Sequence, residues 1–88
     1  MNADLQKRMG IWAGSIHRRP SLARRVAVAY AVDELGWSDC TAYRYRGGLA
    51  VAVVWVDGLC DGKPAAVKLM LNEVGIIIDE QEVNRKQV

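Results

Sequence analysis

Leu5, Met9, Trp12 and Ile16 recur at spacings of four, three and four, which stacks them on one face of a helix while Lys7 and Arg8 point away. The spacing predicts a helix over residues 3–15. Gly14 and the Arg19–Pro20 step end it, since the residue before a proline is pushed out of the helical region. A second helix is expected from an N-cap at Ser21 to about Leu35, with Gly36 in the left-handed C′ position and Trp37 as the apolar residue of a Schellman end. It is apolar nearly all round: Leu22, Val26, Ala29 and Tyr30 form one stripe, Val28, Val32 and Leu35 another, and Ala23, Ala27 and Ala31 lie between them. A helix of that kind is sandwiched, and its alanines let backbones approach closely.

After Cys40 the pattern changes to alternation. Residues 41–46 (TAYRYR) and 49–56 (LAVAVVWV) read as strands joined by a two-residue hairpin turn at Gly47–Gly48. Residues 57–64 (DGLCDGKP) read as a loop, 65–71 (AAVKLML) as a third strand, Asn72–Glu73 as a turn and 74–79 (VGIIID) as a fourth strand. The polar residues from Glu80 onward read as a frayed end or a short helix. The expected fold is α+β, in the order ααββββ: two N-terminal helices packed on one face of a four-stranded antiparallel β-meander, one domain over residues 1–88.

Those turns fix a register. Tyr45 is expected opposite Ala50, Tyr43 opposite Ala52, Leu69 opposite Ile76 and Val67 opposite Ile78. One face then carries Tyr43, Tyr45, Ala50, Ala52, Val54, Val56, Val67, Leu69, Leu71, Val74, Ile76 and Ile78, which is a core. The other carries Arg44, Arg46, Leu49, Val51, Val53, Trp55, Lys68, Met70 and Ile77, with no helix left to cover it. Trp, Met and Arg are enriched at protein interfaces, and an apolar patch of this kind rarely stays bare. Val51, Val53, Trp55, Lys68 and Met70 are therefore candidate partner-binding residues.

Composition bears on partners. In 88 residues, 51% of them hydrophobic, the core is only moderately deep, so some apolar surface is expected to be covered by a partner or by a second copy, as in a homodimer. Met1 is followed by NADLQKRMG, without the long apolar segment of a secretory signal, and the longest apolar run, Leu49 to Val56, is too short to span a bilayer as a helix. A cytoplasmic protein with no membrane contact is expected. Cys40 and Cys60 are too few for a disulfide framework and read as free thiols in a reducing compartment.

The net charge is only +2, but it is unevenly placed. Residues 1–30 hold Lys7, Arg8, Arg18, Arg19, Arg24 and Arg25 against Asp4 alone; residues 31–62 hold Asp33, Glu34, Asp39, Asp57 and Asp61 against Arg44 and Arg46. Arginines at the start of a helix oppose its macrodipole. If the second helix ends where the first strand begins, its start lies beside the first hairpin turn, and Arg18, Arg19, Arg24, Arg25, Arg44 and Arg46 form a basic pole suited to carboxylate or phosphate.

No catalytic or metal signature accompanies it. There is no C-x-x-C pair, His17 is the sole histidine and is expected at the pole opposite the cysteines, and the GGLA and DGKP segments lack the flanks of a phosphate loop. No catalytic residue, metal or cofactor is assigned. The expectation is a small non-enzymatic protein-interaction module, a regulator or inhibitor, that meets an acidic protein partner or itself through the pole and the open sheet face. The alternative is a nucleic-acid-binding module whose same arginines contact phosphates, disfavoured because no long basic track is present.

Overall fold

In the computed structural model, which describes residues 19–83, a helix lies on one face of a four-stranded antiparallel sheet, an α+β arrangement. The helix, α1, spans Pro20–Asp33; the strands are β1 (Ser38–Gly47), β2 (Ala52–Cys60), β3 (Lys63–Leu71) and β4 (Ile77–Glu82), and they lie side by side in chain order. Among the described residues one helix, not two, packs on the meander; the helix expected over residues 3–15 lies outside them.

α1 begins two residues earlier than a Ser21 cap implies. Pro20 takes the first helical position, where its fixed φ suits the helix and its missing N–H would have had no partner anyway. Arg19 becomes the N-cap, with no side-chain capping hydrogen bond. At the other end Gly36 adopts φ +71°, but the closure is wider than a Schellman turn: the Leu35 N–H donates to the Tyr30 carbonyl at 3.3 Å and the Trp37 N–H to the Ala31 carbonyl at 3.0 Å.

The buried face of α1 is the alanine stripe. Ala23, Ala27 and Ala31, spaced by four, are fully buried against Ala52, Val54, Val56, Leu69 and Leu71, and Leu22, Val26, Val28 and Leu35 pack around them. Side chains this small let the helix sit close to the sheet, mainly over β1 and β2. The branched residues of β2 and β3 supply most of the core volume, each contributing about 1.5–3 kcal/mol by burial.

All three hairpins differ from expectation. The first turn is displaced by two residues: Gly48 N–H donates to the Val51 carbonyl at 2.8 Å, leaving Leu49 and Ala50 at the tip. Tyr45 therefore faces Val54, not Ala50, and Arg44 faces Trp55. An even displacement keeps each side chain on its expected face, and it exchanges weak alanine pairs for aromatic and branched ones worth about 0.2–1 kcal/mol each. Ala50 is exposed in the loop, and a bulge at Tyr43 puts Ala42 opposite Val56.

The segment 57–64 is mostly strand. Its turn is only Asp61–Gly62, with φ +53° and +78°, the pairing of left-handed residues that closes a type I′ hairpin. The third turn spans Glu73, Val74 and Gly75. Asn72 Oδ1 accepts the N–H groups of Val74 and Ile76, both at 3.0 Å, and Gly75 supplies φ +82°. This loop is one residue longer than the expected turn, so the face is inverted: Ile77 packs on the core while Val74, Ile76 and Ile78 are exposed. After an irregularity at Ile78 the ladder resumes with Asp79 opposite Met70 and Glu80 opposite Leu69. Residues Glu80 to Glu82 are thus strand, not a frayed end.

Candidate functional site

Alternation along β2 and β3 sends Val54, Val56, Val67 and Leu69 to the helix and leaves Val53, Trp55, Lys68 and Met70 half-buried on the far face. No described element covers that face. Val53 lies opposite Met70, Trp55 opposite Lys68, and Arg44 opposite Trp55 from β1. The Arg44 guanidinium stands 4.6 Å from the centroid of the Trp55 ring, well inside cation–π range. Val51, at the end of the first turn, is half-buried as well.

The arginines are divided by the sheet. Arg44 and Arg46 project from the open face of β1, whereas Arg24 approaches from the helix side, its guanidinium 6.0 Å from the Tyr45 ring. Arg25 lies beside Arg24 on a groove of about 530 Å³ between α1 and β1, floored by Val28, Cys40 and Ala42. Arg19 is exposed at the helix N-cap. Arg18 lies outside the described residues. Burial pushes the Tyr45 phenol above its usual 10.0, against the pull of the Arg24 charge.

On its other flank α1 meets β4. The Tyr30 hydroxyl donates to Glu80 Oε1. That bond, with partial desolvation and the Glu80 and Glu34 charges behind it, raises the Tyr30 phenol above 10.0. Beside it Val26, Ile76 and Ile77 line a shallow groove with Asp33 and Glu34 at its rim.

Both cysteines are free thiols. Cys40 sits at a bulge where Asp39 takes φ +53°, against Gly58 of β2; burial, then the nearby Asp39 and Asp57 carboxylates, raises its thiol above 9.0. That is the direction of an unreactive sulfur. Among the described residues no group of three or more His, Cys, Asp or Glu side chains is placed to hold a metal ion, and no helix is long and apolar enough to cross a membrane.

The Arg44–Trp55 pair was hidden from sequence reasoning because the assumed turn put Arg44 opposite Val51. No local turn preference favours the Leu49–Ala50 tip that sets this register, whereas Asp61–Gly62, a strong short hairpin signal, and Gly75, a left-handed turn residue, could have exposed the registers of the second and third hairpins. No protein-family model, curated protein or solved structure matches this chain.

Proposed function

We propose that this is a small binding module without chemistry of its own, a regulator or inhibitor that presents the uncovered sheet face to a protein partner. The observation that carries it is the Arg44 guanidinium lying 4.6 Å over Trp55 in the middle of a half-buried apolar surface. Trp and Arg are the residues most enriched at interface hot spots, and an Arg already held over its ring loses little further freedom on binding. Arg24, Arg25 and Arg46 lie around this strand and would steer an acidic surface toward it, accelerating encounter more than tightening the complex.

The test is an affinity capture from host extract with the unmodified protein and with Trp55→Asp in parallel, each checked for an intact circular dichroism spectrum. We expect a protein retained by the first and lost by the second, because the substitution removes contact area and buries an unpaired charge. Retention unaffected by Trp55→Asp would remove the face from consideration. Sub-micromolar binding to a short oligonucleotide, lost when Arg24 and Arg25 are replaced by Ala, would assign the arginines to phosphates instead.

A further inference from the structure

The two outer strands of the sheet carry opposite charge at matching heights. Among the described residues β1 pairs only with β2 and β4 only with β3, so each presents an outer edge. Following the ladder straight across, Arg46 is level with Val53, Met70 and Asp79, and Arg44 with Trp55, Lys68 and Gln81, all on the open face. On the helix face Tyr45 is level with Val54, Leu69 and Glu80. Arg24 stands over the Tyr45 end of that row. Each row thus runs from a basic or neutral end on β1 to an acidic or neutral end on β4.

A meander with an even number of strands has first and last strands that run in opposite directions. A second copy displaced sideways by the width of the sheet, and turned to follow the sheet's twist, would bring its β1 alongside β4 in antiparallel sense, which continues the hydrogen-bonded ladder. At the level set by the rows, Asp79 faces Arg46 of the next copy and Gln81 faces its Arg44, while Glu80 approaches its Arg24 across Tyr45. The irregularities at Tyr43 and Ile78 leave Arg44 to Gly47 and Asp79 to Glu82 as the regular stretches available for pairing. Like edges fit badly: β4 against β4 sets Asp79, Glu80 and Glu82 against one another, and β1 against β1 sets Arg44 and Arg46 together. Charged edges commonly prevent strand pairing. Here they would prevent only the symmetric pairings.

We infer that the chain assembles head to tail, the acidic β4 edge of one copy adding to the basic β1 edge of the next. Such a contact is heterologous, so it propagates into a series and does not stop at a two-fold dimer. It rests on the edges and is independent of the open-face contact proposed above.

Sedimentation velocity across a concentration series tests it, with Arg46→Asp (both edges acidic) and Asp79→Arg (both edges basic). Both positions are exposed, and circular dichroism confirms that the variants are folded. The unmodified protein should form a concentration-dependent series of oligomers that shrinks as salt shortens the Debye length to about 3 Å at 1 M. Each variant alone should associate at least about tenfold more weakly. An equimolar mixture, or the double variant with both charges exchanged, should restore the series. A monomer at every concentration, a discrete dimer indifferent to both reversals, or association abolished only by Trp55→Asp would overturn the proposal; the last of these would leave the open face as the contact.

Discussion

Gly58 of β2 lies tight against Ser38 and Cys40 of β1, and adding one carbon there tests that proximity. A Cβ built on Gly58 would stand 2.9 Å from the Ser38 carbonyl oxygen, 3.0 Å from Cys40 Sγ and 3.3 Å from Cys40 Cα. Even weak C–H···O contacts keep carbon and oxygen about 3.3–3.6 Å apart, so the methyl group is too close to a backbone oxygen that cannot rotate away. Overpacking of this kind costs about 1–3 kcal/mol, while the stiffer unfolded chain of an alanine variant returns about 0.4–1 kcal/mol. Gly58→Ala should therefore lose about 1–2 kcal/mol, or about 5–15 °C in Tm at 4–8 °C per kcal/mol for a domain of this size. Thermal melts followed by circular dichroism measure it. Cys40→Ala in the same background removes the sulfur but leaves the Ser38 oxygen, so a double-mutant cycle should show partial rescue only. If Gly58→Ala melts at or above the temperature of the unmodified protein, the bulge at Asp39 does not press β1 onto β2.

Three further outcomes follow from the same geometry. Leu69→Ala, at a fully buried central position of β3, should cost about 2–5 kcal/mol in urea unfolding; a loss below one would mean the helix face of the sheet collapses readily around the gap. The Tyr30 phenol titrates above its ordinary 10.0 in the folded protein, so the folded state holds its proton more tightly than the unfolded one. Its stabilising contribution is intact below pH 10 and declines as pH rises through the folded value; Tyr30→Phe should flatten that alkaline decline, and phenolate absorbance should show one tyrosine fewer in the late-titrating group. Cys40, raised above 9.0 by burial and two carboxylates, should react with a disulfide reagent at neutral pH more slowly than an unfolded cysteine, and urea should remove the difference.

The strands whose side chains alternate between a helix and an open face were legible, because Ala52, Val54, Val56, Val67, Leu69 and Leu71 have only one way to share a side. So was α1, from the spacing of its alanines and from Gly36. The turns were harder, since not every Gly-bearing dipeptide beside β2 became a turn. Gly47–Gly48 yielded to Leu49–Ala50, where nothing in local turn preference favours the observed tip and cross-strand pairing decided the outcome. Asp57–Gly58 and Asp61–Gly62 are identical as dipeptides, yet the first lies inside β2 because the close approach of Ser38 and Cys40 needs a residue without a side chain. The single-residue error at Asn72 inverted the start of β4, placing Ile77 inward; the extra residue at Ile78 reverses the alternation again and brings Glu80 to Tyr30. Alternation placed Arg44 and Arg46 on the open face, where they lie, but topology alone did not separate them from Arg24 and Arg25 on the helix side of β1, and Arg44 could not be matched with Trp55 until the first turn was fixed.

The strand order β1-β2-β3-β4 has a consequence for synthesis. Each strand pairs with the one translated just before it, across tips of two or three residues, so no strand waits for a distant partner strand and little loop-closure entropy opposes any pairing step. A ribosome adds about 5–20 residues per second, whereas a hairpin closes in about 1–10 μs, so each strand can pair long before the next codon is read. The valines of β2 emerge after α1 and β1, so the helix that covers Val54 and Val56 and one neighbouring strand are already outside the ribosome, and the other edge waits only for β3, across a two-residue tip. Only β4 arrives last, onto three strands and a helix that already meet the usual minimum for an independently stable sheet.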